Sequence, residues 1–409
     1  MSKTLISVEE IKEKNVLRFT YDDNSQEVFE IKEKNSERTI TREYKNYILI
    51  ENQSKIDERV KTGDFGCCIF LCNTNFDGVT FNQDVDFWLA IFTQDANFSE
   101  ATFIQDANFN DAIFIQDANF EDATFVEYAY FSQTTFTHNA NFSLATFKKN
   151  AFFSHVMFTG DADFSQVTFI ESANFAEAKF KNKAIFYKTI FTQDVFFKSV
   201  LFIKDAEFAL TTFDRNAHFS KTTFTQTANF LNAKIQGLLH LEVSEMAKLN
   251  LQLTIVDRIA YGDTEFSADN RETFLTLKNV ALKQNDQIRA LEFHQQEYQT
   301  HFDSLNWKQS DKWILGFEYW ASNFGASAVV AVSRFIGVIM LFYILINGFD
   351  GNIKVIIDFI LPISYDIGSI FKDCVIQWWD RVLFLFYKIL QLIMIYEIIK
   401  SFRKFSRQL

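Results

Sequence analysis

Phenylalanine recurs alternately five and six residues apart along this chain, from Phe65 and Phe70 through Phe76, Phe81, Phe87, Phe92, Phe98 and Phe103 as far as Phe230. One residue type held at an 11-residue period restricts the chain to architectures in which like units stack and bury their apolar side chains only against their neighbours. The same period suits a right-handed helical coiled coil. Composition rejects that alternative, because the units are crowded with Phe, Thr, Asn and Asp and short of Leu, Glu, Lys and Arg.

The unit Ala96-Asn97-Phe98-Ser99-Glu100-Ala101-Thr102-Phe103-Ile104-Gln105-Asp106 is representative. A small residue precedes each Phe by two, so in extended backbone Ala96 and Phe98 point one way, as do Ala101 and Phe103, while Asn97 and Thr102 face out. Two units close a four-sided coil, and the expected core ladder includes Phe98, Phe103, Phe109, Phe114, Phe120, Phe125, Phe142, Phe147, Phe164 and Phe169. Sixteen units over residues 63–238 make eight coils, about 40 Å of stack at the usual strand spacing. The small-x-Phe-x-x unit, repeated as Ala96-x-Phe98, Ala107-x-Phe109, Ala118-x-Phe120 and Ala140-x-Phe142, resembles the pentapeptide-repeat family. The resemblance implies a mainly β fold, a right-handed quadrilateral β-helix. The sixth residue on alternate sides implies a coil less square than that of a strict member.

Outside the ladder the periodicity changes. Residues 1–62 read as a β-rich cap: Leu17–Tyr21, an Asp22–Ser25 turn cluster and Glu27–Ile31 form a hairpin pattern, with more strand signal at Tyr47–Ile50. Residues 239–263 are expected to be a C-terminal cap or linker. Residues 264–325 switch to helical spacing, with Phe274, Leu277, Ala281, Ile288, Leu291 and Phe302 on one stripe, Asp269 and Glu272 as a capping box, and Trp313 and Trp320 on an amphipathic helix that suits a membrane surface.

Residues 326–409 read as a membrane region with apolar helices at about 327–346 and 378–399. Trp378 and Trp379 form an interfacial belt, and Lys400, Arg403, Lys404 and Arg407 follow the second helix, which orients both chain ends toward the cytoplasm in a cytoplasmic membrane. Arg334, Lys388 and Glu397 fall inside the apolar runs, where ionisable groups face helix interfaces, and Arg334 with Glu397 or Lys388 with Asp358 are the expected pairs. Val355–Ile363 is too short to span and reads as re-entrant or interfacial. The loop has Ser364-Tyr365-Asp366-Ile367-Gly368 where a potassium filter has Thr-Val-Gly-Tyr-Gly.

Charge bounds the partners. The net charge of -12 argues against broad nucleic-acid binding. The ladder is polarised: twelve acids and no Lys or Arg lie between Asp64 and Phe147, against eight acids and eleven bases from Lys148 to Ile235. The family resemblance implies an acidic DNA-mimic rod that occupies a topoisomerase as one alternative, although the basic second half interrupts the mimicry. Cys67, Cys68, Cys72 and Cys374 suit free thiols. Residues Met1–Glu10 lack a signal-peptide pattern. Asp95, Asp106, Asp117, Asp161, Asp194 and Asp205 recur where sides meet and suit turn capping, and His294, Glu297 and His301 share one helix face without requiring a metal. No catalytic set, cofactor or metal is expected. The expected partners are a lipid bilayer, an unidentified protein and a second copy of the chain. The expected role is a membrane-anchored scaffold, with an oligomeric pore carrying a regulatory solenoid as the alternative.

Overall fold

In the computed structural model, which describes residues 3–34, 37–325, 327–347 and 378–406, every ladder phenylalanine from Phe65 to Phe230 is buried. Two-residue strands pair in parallel across one coil: Ile91 with Ile113, Ala96 with Ala118, Thr102 with Thr124 and Ala107 with Ala129. Four strand columns result, and the fold is a mainly β solenoid. Inside it, Phe98, Phe120, Phe142 and Phe164 stack with ring centroids 4.7, 4.7 and 4.9 Å apart and planes within 2°. The neighbouring column crosses them edge to face, as where Phe98 meets Phe109 at 5.4 Å and 89°. Offset stacks and T-shaped contacts are the two favourable arrangements of the aromatic quadrupole, so the core uses both at once.

The five-six alternation reflects two kinds of corner. After Phe98 the Ala101 N–H donates to the Phe98 carbonyl at 3.2 Å, and Glu100 takes a left-handed φ of 54°. The same corner recurs at Leu89, Asp111, Asp122, Gln133 and Leu144, and onward to Val243 and Leu253. At the longer corner a side chain does the capping. Asp106 accepts from the backbone N–H of Tyr128, Asp117 from Asn139, Asp161 from Lys183, Asp194 from Asn216 and Asp205 from Thr227, each 22 residues on. Backbone donors left over by the extra residue thus find acceptors one coil away. Where Thr replaces Ala at the small position, as at Thr134, Thr189 and Thr222, the buried hydroxyl donates to a Phe carbonyl in the coil below.

Strands in solenoid register continue to Ala260, past the end of the phenylalanine ladder. Here the core changes to Ile235, Leu239, Leu241, Leu249, Leu251 and Ile259. The register also tightens. Glu245 pairs with Thr223, whereas Leu249 pairs with Ala228 and Ile259 with Leu239, one and two residues short of the regular coil.

At the other end strands and a helix cover much of the first coil. Strands β1 (Leu5–Ile11), β2 (Val16–Tyr21) and β3 (Gln26–Glu30) form an antiparallel sheet. Strands β4 (Lys32–Lys34), β5 (Glu37–Arg42) and β6 (Lys45–Ile50) follow, and β6 pairs in parallel with Cys68–Phe70. Helix α1 (Gln53–Val60) presents Gln53 to both backbone groups of Asn75, and its Val60 carbonyl accepts from Gln83. The β1–β3 sheet also lies along a side of the solenoid: Leu5, Leu17, Phe19 and Tyr21 share a core with Ile69, Ile91 and Ile115, and Ile113 packs against it.

The second compact unit starts at Leu277. Helix α2 (Arg271–Lys283) gives way to α3 (Gln287–Ser304) through Asn285 at φ 61°, and Asp286 caps α3 by accepting from the Arg289 N–H at 3.0 Å. That break resets the helical phase, so Ile288 is exposed and α3 buries Ala290, Phe293 and Glu297 instead of one stripe continuing from Leu277. The start of α2 also differs from the expected capping box. Asn270 accepts from the Thr273 N–H at 2.8 Å, while Asp269 lies 2.7 Å from Lys248. Helices α4 (Ser310–Ser322), α5 (Ala328–Asn347) and α6 (Trp378–Ser406) follow, and α5 meets α6 through Phe335, Ile339, Phe342, Tyr343, Phe384 and Tyr387.

Candidate interaction surfaces

On the solenoid, the residues available to a partner are those that alternate with the core. Asn97, Asn119 and Asn141 form one outward ladder whose amides bond coil to coil. On another face the polar ladder gives way to rings: Tyr130 stacks on Phe152 at 5.2 Å, and Phe196, His218 and His240 stack at 4.8 and 4.3 Å. Glu242 receives a 3.1 Å contact from the His240 Nδ1 and a 3.0 Å bond from Ser220. Burial and the adjacent His240 hold the His218 imidazole below its usual range. The ten phenylalanines of the expected ladder are all fully enclosed, so they shape these faces from beneath without touching a partner.

The cysteines take no part in this surface chemistry. Cys67, Cys68 and Cys72 are free thiols, and burial pushes Cys68 up to about 12. Cys374 lies outside the described residues.

The family model described as pentapeptide repeats (9 copies) matches residues 87–135, 98–146, 153–201 and 186–234. The solenoid is a pentapeptide-repeat domain. No curated protein and no solved structure matches the chain. Pentapeptide-repeat solenoids are typically structural or interaction proteins, which is consistent with an enclosed core and a surface of repeated Asn, Thr, Ser and Asp.

The helical unit that accompanies the pentapeptide-repeat domain places its ionisable residues as follows. Glu397 is buried and accepts from Ser322 Oγ at 2.6 Å, with Lys400 at 3.7 Å; Lys400 also lies 2.7 Å from Glu318. Arg334 donates to the Trp320 carbonyl and sits 5.5 Å from the Trp320 ring. Arg334 and Glu397 therefore serve separate partners and are not brought together as a pair. Lys388 is buried with its ammonium 5.3 Å from the Phe384 ring and 5.5 Å from that of Tyr387. Its expected partner, Asp358, lies outside the described residues, as do Val355–Ile363, Ser364–Gly368 and Arg407. Arg403 and Lys404 fall in the last turns of α6.

Ser322 opens an unusual turn. Asn323, Phe324 and Gly325 all have positive φ, at 52, 56 and 71°, and the Gly325 N–H donates to Ser322 Oγ at 2.8 Å. On α3, Glu297 is taken by Lys278, with His294 3.8 Å away, so this carboxylate already has a cation.

Two features lay outside what the sequence pattern predicts. Left-handed corners are occupied by Leu, Glu, Asp, Gln, His, Lys, Ser, Asn and Val alike, so residue type does not announce them. The lateral docking of the β1–β3 sheet carries a faint signal, because this outward column holds Ile69, Ile91 and Ile113 in the first three coils and a mixture of Thr135, Met157, Lys179 and Leu201 in later ones.

Proposed function

We propose that this protein is a membrane-anchored scaffold: α5 and α6 cross a bilayer and the pentapeptide-repeat domain presents its outward ladders to a protein partner on the cytosolic side. The observation that carries the reading is uncovered apolar surface. Within the apolar windows Ala328–Leu345 and Val382–Phe402, only 17% and 33% of the residues are buried. A core helix of a soluble domain hides most of such a surface, since each large apolar side chain left in water forgoes about 1.5–3 kcal/mol. Helix α5 has 20 residues, about 30 Å at the α-helical rise, which equals a bilayer core. Lys400, Arg403, Lys404 and Arg407 gather at the C-terminal end of the second span, which supports that end, and with two spans the solenoid too, lying on the positive side.

Membrane fractionation tests this. The full chain resists high-salt and carbonate washes, whereas a chain ending at Leu305 partitions into the soluble fraction. Release of the full chain by carbonate removes the anchor. A second reading, an oligomeric pore, draws on Lys388, Gln391 and Glu397, which are all buried on α6 although it is largely apolar. Ion flux through vesicles containing purified protein, abolished by Arg334→Leu, favours the pore over the anchor.

A further inference from the structure

Helix α4 has one side packed and one side bare. Lys312, Leu315, Ala321 and Ser322 are buried, and Tyr319 stacks on Phe302 of α3 at 6.2 Å. The bare side exposes Trp313 to 65%, Ile314 to 62% and Trp320 to 42%, and Trp307 just ahead of the helix is 64% exposed. These indoles are organised. Trp307 meets Trp313 edge to face at 5.5 Å, the Trp313 Nε1 donates to the Trp307 carbonyl at 3.1 Å, and Phe317 lies 5.8 Å from Trp320.

Two cations lie against these indoles: the Lys312 ammonium, 5.3 Å from the Trp307 ring, and Arg334. Arg334 projects from the second turn of α5 back toward α4, where it bonds the Trp320 carbonyl and lies over the Trp320 ring. An arginine on an apolar span that reaches toward its end is snorkelling, and its head group marks the depth of the polar boundary. Trp320 therefore sits at that boundary, and Trp313 and Trp307 continue along the same element.

We propose that α4 lies in the phosphate–carbonyl layer of a phospholipid bilayer, with Trp307, Trp313 and Trp320 seated among the lipid esters and Arg334 bonded to a lipid phosphate beside Trp320. This rests on the reading that α5 and α6 span the membrane, because the polypeptide between α4 and α5 is only Asn323–Ser327 and holds α4 close to the first span. Indole rings, apolar in body with one N–H donor, favour this layer over both water and hydrocarbon. A helix with one such face lies along the interface.

Depth-dependent quenching tests the proposal. The full chain carrying Trp88→Phe, Trp378→Phe and Trp379→Phe keeps the three indoles of interest, and is reconstituted in phosphatidylcholine vesicles containing some phosphatidylglycerol. Lipids brominated close to the carbonyl are expected to quench more than half of the emission, and lipids brominated near the chain end much less. In the otherwise unsubstituted chain, Trp313→Phe with Trp320→Phe lowers that shallow quenching, the remainder belonging to Trp307, Trp378 and Trp379, and an unchanged shallow signal overturns the placement of α4 even if the triple variant misfolds. Emission indifferent to both lipids, in protein that still resists carbonate, overturns the interfacial placement and leaves the anchor standing. Stronger quenching from the chain end overturns it as well, by placing the indoles in hydrocarbon. Protein that carbonate strips from the vesicles overturns both readings together.

Discussion

A residue with φ near +60° bears a steric cost that only glycine avoids. The solenoid accepts that cost once in every unit, and Val243 is the extreme case: β-branched, at φ 60°, and 65% exposed. Its side chain contributes little packing to offset the strain, so Val243→Asn is expected to stabilise the last coils by about 1 kcal/mol. Urea unfolding of the purified protein reads this out, and a loss of stability counts against a strained corner. Nearby, His218 gives the domain a pH dependence. Its folded imidazole titrates below the usual value, so as pH falls the unfolded chain takes up the proton first. The stability it contributes is complete above about pH 6.5 and declines as pH drops toward the lower folded value. Asp194 and Glu242 act in the opposite sense and reduce the effect. After correction for the intrinsic exchange rate, which itself slows in acid, the protection factors of the Ala217–His240 segment should fall on acidification. His218→Phe, which continues the stack from Phe196, should flatten that response.

At the scale of elements, each coil depends on its two neighbours and on little else. Phe142→Ala removes a ring stacked on Phe120 and Phe164, and is expected to cost about 3–5 kcal/mol. Exchange should rise in the coils that contain Phe120 and Phe164 and stay unchanged around Phe219. A uniform rise would show that the array unfolds as one unit. This locality is also why the sequence was so readable here. A ring that must stack on its own copy has to recur, and the recurrence is visible at Phe98, Phe120 and Phe142 without knowledge of the fold. Elements whose partners are distant leave fainter marks. The β1–β3 sheet is recognisable as strands, but its seat on Ile69, Ile91 and Ile113 shows only as aliphatic residues in a column that is mixed in later coils. The helical stripe from Phe274 misled for a related reason: Asn285 interrupts the helix, and a pattern of threes and fours carried across such a break joins faces that do not coincide. The candidate membrane contacts were partly legible. Trp313 and Trp320 stood out by type, while the reach of Arg334 to Trp320 depends on the turn through Asn323, Phe324 and Gly325.

For the whole molecule, the proposed orientation rests on a few cations. If Arg403, Lys404 and Arg407 set the cytosolic side, replacing all three with Asn should weaken the topological bias, because the rule acts through Lys and Arg close to the span. Protease digestion of intact spheroplasts would then cleave part of the solenoid population that is fully protected in the parent protein. Unchanged protection would assign orientation to some other determinant. The solenoid itself has a property that its register makes plain. Each column matches residues one coil apart, so adding or removing a full coil leaves every strand partner of the right type, whereas a single inserted residue moves core phenylalanines to the outside. Only at the last turn, where Leu249 and Ile259 pair one and two residues early, does the count slip without harm. Length in this protein is thus quantised: a ruler that grows or shrinks by whole graduations, with a vernier at one end to absorb the remainder.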